Sequence, residues 1–91
     1  MIIDRDKLLN RITAMLKQAE EKAQKASGES KILLVFLIQD FNLLYKEIER
    51  RAQRLEVEKL QDEFRHNRNT LQFHNLAMVL DYVLKGGGPI V

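Results

Sequence analysis

Every helix breaker in this chain sits at one of two places. Gly28 stands alone, Gly86-Gly87-Gly88-Pro89 lies near the C-terminus, and residues 29–85 hold neither glycine nor proline. A stretch of that length without either residue is a helical signature, because glycine and proline cost a helix interior roughly 1 and 3 kcal/mol. The first 27 residues are equally free of both. The chain is therefore expected to be all-α, one domain over 1–85, with residues 86–91 as a flexible tail.

The apolar spacing divides this helical material. Leu9, Ile12, Leu16, Ala19, Ala23 and Ala26 recur at intervals of three and four, flanked by Leu8 and Met15, which predicts an amphipathic helix over 4–26. Asp4 or Asp6 suits its N-cap, and Gly28 suits a left-handed residue that ends it. A second helix is predicted over 30–65 with Ser30 as N-cap. Its broad apolar face carries Leu33, Leu34, Leu37, Phe41, Leu44, Tyr45, Ile48, Ala52 and Leu55. Arg65-His66-Asn67-Arg68-Asn69-Thr70 has no apolar residue, so a break is placed there, followed by a third helix over 70–85 with Phe73, Leu76, Ala77, Leu80, Val83 and Leu84 on one stripe. The expected architecture is a small three-helix bundle or a helical hairpin with a long central helix. The outer helices either lie along successive halves of the central one, or the third folds back on the first two.

The central helix carries the functional signal, because it is apolar on two faces. Ile32, Val35, Phe36 and Leu43 lie opposite the face meant for the first helix, and Val57, Leu60 and Phe64 resume that opposite face further on. One neighbouring helix cannot cover both. The expected interface residues are therefore Val35, Phe36, Leu43, Val57, Leu60 and Phe64, and the expected partner is a second copy of the chain or another helical protein, in an oligomeric helical bundle of coiled-coil type. The corresponding role is a non-enzymatic interaction module: a scaffold, an adaptor or a small chaperone.

The alternative is a nucleic-acid-binding regulator using Arg50, Arg54, Arg65 and Arg68, which approximate one stripe on an unbroken helix. Arginine suits phosphate through bidentate bonds. Residues 46–70 hold seven basic but also six acidic side chains. Glu47 with Arg51, Arg54 with Glu58 and Lys59 with Glu63 stand four apart, so local pairing is expected to absorb much of this charge. No aromatic residue is interleaved for base stacking.

Catalytic and metal chemistry find little support. Glu58, Asp62 and His66 share a helix face, and Glu63 and His66 form a Glu-x-x-His pair, yet a helical di-metal site needs a second such pair and none exists. His74 has no nucleophile and orienting acid placed for it. The glycines at 86–88 follow a helix instead of opening one, so they form no phosphate loop, and Pro89-Ile90-Val91 is read as a mobile tail before a docking one. No catalytic residue, metal or cofactor is expected. The chain has no cysteine, and Met1-Ile2-Ile3 is followed at once by Asp4-Arg5-Asp6-Lys7, unlike a signal peptide. Together with the absence of any long apolar run, this leads to an expected cytoplasmic location with no membrane contact.

Overall fold

The computed structural model describes residues 1–67 and 75–86. The fold is all-α, and among these residues four helices are joined by a two-stranded ribbon. The order is β1 (Ile2–Asp4), α1 (Arg5–Lys25), α2 (Glu29–Glu49), β2 (Arg54–Glu56), α3 (Val57–His66) and α4 (Leu76–Leu84). Two helices of 21 residues each, joined by Ala26-Ser27-Gly28, form the frame. Each is about 31 Å long at ~1.5 Å per residue, so the hairpin accounts for most of the 37 Å long axis.

Helix α1 starts as its sequence dictates. The Asp4 carboxylate accepts hydrogen bonds from the backbone N–H groups of Asp6 (2.9 Å) and Lys7 (3.2 Å), satisfying donors that have no carbonyl four residues back. Its buried line is Leu8, Ile12, Met15, Ala19 and Ala23, with Leu9, Leu16 and Ala26 partly buried on the shoulder. The apolar face is thus turned slightly from the stripe centred on Leu9 and Leu16. A stripe one residue wider than its contact leaves that choice to the neighbouring helix.

The turn differs in detail from the expected one. Gly28 does adopt positive φ (64°), but with ψ −138° it precedes α2 as its N-cap residue, while α1 ends on an extended Ala26. Ser30, expected as the cap, lies inside the first turn of α2, and no side chain caps that helix. The Gly28 carbonyl accepts from the Ile32 N–H (3.3 Å).

The largest departure concerns the expected helix over 30–65. It stops at Glu49, and the chain then straightens into β2 before re-forming a helix at Val57. β2 pairs antiparallel with β1 in the register Ile2 to Glu56, Ile3 to Leu55 and Asp4 to Arg54, and the Val57 N–H donates to the Met1 carbonyl (2.9 Å). The ribbon follows from the hairpin. With α1 and α2 equal in length and antiparallel, the residues before α1 and after α2 emerge side by side.

Because the chain changes direction at 50–56, α3 does not prolong α2 but packs on α4, which in turn lies against α1 and α2. Val57, Leu60 and Phe64 are buried there with Leu55, and α4 adds Leu76, Ala77, Val79, Leu80 and Val83 to the same cluster. Phe41 and Tyr82 approach at 6.4 Å between ring centroids where α2 meets α4. The helix end expected within 65–70 is present: α3 finishes at His66, and Asn67 is extended. Arg68, Thr70, Phe73 and His74, and the tail beyond Gly86, lie outside the described residues.

No atom outside the neighbouring residues lies within 4 Å of a Cβ built on Gly28, so a side chain there meets only a backbone penalty. Gly28→Ala should lower unfolding stability by about 1–3 kcal/mol, measurable by urea denaturation, with the helical circular dichroism spectrum unchanged.

Candidate interaction surface

Two features stand out: a polar corner that ends α2 and an apolar face of α2 that no described residue covers. The corner sets where α2 stops.

Glu47 is the one buried charged residue among those described. Its carboxylate takes one arginine on each oxygen, Arg50 Nη1 at 3.2 Å and Arg51 Nη1 at 3.0 Å. The Arg51 guanidinium, 20% exposed, also donates to the Glu47 carbonyl and reaches across to Glu63 on α3. Its Cζ lies 5.3 Å from the centroid of the Phe64 ring, a cation–π distance. Burial lowers the Arg51 pKa, but hydrogen bonds and attraction from Glu63 and Glu47 outweigh it, so the group is held above its ordinary value. It is a permanent cation binding α2 to α3.

A second arginine works from the other side. Arg5, at the start of α1, donates from Nη1 to the Arg51 carbonyl (2.7 Å) and weakly to that of Glu49 (3.4 Å), and its backbone N–H donates to Gln53 (2.7 Å). These are carbonyls a continuing helix would have used itself.

The turn at the corner also divides the arginine stripe between separate elements. Arg50 is paired with Glu47, and Arg65 with Asp62 (3.5 Å). Arg54 is exposed on β2 opposite Asp4, and Arg68 is outside the described residues. The angular alignment of these four required an unbroken helix, and the turn at 50–56 removes it. Of the expected four-apart pairs, Glu47 with Arg51 forms; Lys59 instead meets Glu56 (3.3 Å) and Glu58 the Met1 ammonium (2.6 Å). The acidic face of α3 is similarly engaged: Glu63 with Arg51, Asp62 with Arg65, and His66 Nδ1 with the Asp62 carbonyl (2.7 Å). Among the described residues no three His, Cys, Asp or Glu side chains gather as a metal-binding group, and no helix is long and apolar enough to cross a membrane.

The expected apolar interface divides in two. Val57, Leu60 and Phe64 are corrected to core residues, because the turn at 50–56 swings their face inward. Val35 and Phe36 are exposed at 42% and 58%, and Leu43 is half-buried beside them. Ile32 and Leu33, each 56% exposed, complete the surface. Ile32 belongs to the outward stripe by spacing. Leu33 does not; it stands about 70° from the centre of the buried line at 100° per residue, at the edge where the core no longer reaches. Lys31, Ile32, Val35 and Phe36 line a shallow depression of about 290 Å³. The four exposed apolar side chains offer on the order of 400 Å², the scale of the largest apolar patch on a typical monomer, which is often functional.

Asp40, half-buried on the flank of this face, has a pKa raised by loss of solvation. The folded state then holds its proton more tightly than the unfolded chain, so stability falls as pH rises from the ordinary Asp value through the raised one.

The chain matches no protein-family model, no curated protein and no solved structure. Its functional reading therefore rests on this geometry.

Arg51→Met should cost about 2–3 kcal/mol, since Glu47 keeps only its exposed partner Arg50, and adding Glu47→Leu should recover part of that loss in a double-mutant cycle read by denaturant titration. Asp40→Asn should raise Tm slightly at pH 7, with the gain disappearing below the ordinary Asp pKa, as scanning calorimetry across pH would show.

Proposed function

We propose that this chain is a non-enzymatic helical interaction module, acting as a scaffold, adaptor or small chaperone through the outward face of α2. The observation that carries this reading is the contiguous exposure of Ile32, Leu33, Val35 and Phe36 on a rigid helix whose other face is fully used in the core. A small domain gains nothing in folding stability from four large apolar side chains in water, whereas a partner helix laid along them gains their burial. The same face rests on regular secondary structure and keeps its shape without a partner, which lowers the ordering cost of binding.

The nucleic-acid alternative has less behind it. Two of its four arginines are already paired, Arg50 with Glu47 and Arg65 with Asp62, and phosphate binding draws on clustered, uncompensated charge.

Phe36 is the centre of the face and the residue to change. Phe36→Ser should abolish binding of an environment-sensitive hydrophobic dye and weaken any association seen by sedimentation by about 30-fold or more, the scale of a 2 kcal/mol aromatic anchor. Helicity should stay at the wild-type value, and so should Tm at a concentration too low for association, since the side chain lies outside the core. A wild-type chain that binds no dye and sediments as a monomer at tens of micromolar would overturn the reading.

A further inference from the structure

Resting on that reading, we infer that the occupant of the face is a second copy of the same chain, with the two α2 helices antiparallel about a two-fold axis. The inference comes from the sequence of residues along the outward line of α2. Glu29, Ile32, Phe36, Gln39, Leu43 and Lys46 follow one another at spacings of three, four, three, four and three, the a/d alternation of a coiled-coil seam. All six lie within α2, and each is exposed except Leu43, which is half-buried. The seam has an acid at its N-terminal end, a base at its C-terminal end and apolar residues between.

That order is self-complementary in one direction. Antiparallel helices pair a positions with d positions, which sets Glu29 against Lys46 of the other copy, Ile32 against Leu43 and Phe36 against Gln39, each pair occurring twice by symmetry. Every apolar position of the seam is then covered, and both ends close with opposite charges. In-register parallel helices would instead place Glu29 against Glu29 and Lys46 against Lys46. The two-fold arrangement is also closed, so it stops at two copies.

The chain has no cysteine, so introduced thiols report the pairing directly. Ile32→Cys and Leu43→Cys proteins, mixed and oxidised at low concentration, should form the mixed disulfide well above either homodimeric product, because only the mixed pair brings the two Cα atoms within disulfide reach. Separately, Glu29→Lys and Lys46→Glu should each weaken the dimer several-fold in sedimentation equilibrium, and the double exchange should restore it to within about twofold. Predominant 32–32 and 43–43 disulfides, or charge variants with no effect, would overturn the antiparallel arrangement while leaving the interaction module intact. A dye-binding monomer would overturn the second copy as occupant and leave the face to a different protein. A monomer without dye binding would overturn both.

Discussion

The fold depends on where α2 is made to stop. Nothing in Arg50-Arg51-Ala52-Gln53 breaks a helix by itself; what ends it is competition for its carbonyls. Arg5 takes those of Arg51 and Gln53, through its side chain and its backbone N–H, and Arg51 turns back onto Glu47. A helix loses little when its last carbonyls are given equivalent donors from elsewhere. Once the chain is released at this point, β2 can pair with β1, and α3 turns onto α4 with Val57, Leu60 and Phe64 facing the shared core. The Arg51 contact to Glu63 and its position over the Phe64 ring hold the far side of the corner.

This explains what could be read in advance. The helical class, Asp4 as cap, positive φ at Gly28, the end of a helix after His66 and the pairing of Glu47 with Arg51 are local matters, set by residues within a few positions of each other. The stop at Glu49 depends on Arg5, more than forty residues away, and no local pattern contains it. A faint trace did exist: Arg54-Leu55-Glu56-Val57 alternates polar and apolar, and in the structure it alternates exposed and buried, as a half-buried strand should. Over four residues such alternation competes poorly with the helical pattern around it. The error in the interface followed from the same source, since Val57, Leu60 and Phe64 share a face with Phe36 only if the helix runs on.

The turn at 50–56 narrows the exposed apolar surface to one stretch of α2. Spread over an unbroken helix, the outward apolar residues would have formed a long stripe of uncertain use. Confined to the first half of α2, they make a compact patch followed by Gln39, Leu43 and Lys46, with Glu29 at the other end. The core takes what the long stripe would have wasted: α3 contributes its apolar face to the domain's own packing, in a chain that has no cysteine for a disulfide. Among the described residues, Ile32, Leu33, Val35 and Phe36 then stand together near the start of α2, while the other exposed large apolar residues, Met1, Ile2 and Met78, lie apart, at β1 and on α4.

The ribbon between β1 and β2 has a kinetic consequence. Its two strands lie some fifty residues apart in sequence, a separation that ordinarily makes pairing slow because a long flexible loop must be closed first. Here the intervening chain is the α1–α2 hairpin, a structure of mostly local contacts whose formation delivers the strand ends to each other. Ordering the hairpin replaces the search of a long loop with a short approach, so ribbon closure and the docking of α3 belong late on the folding route, as a latch that engages after the frame is built.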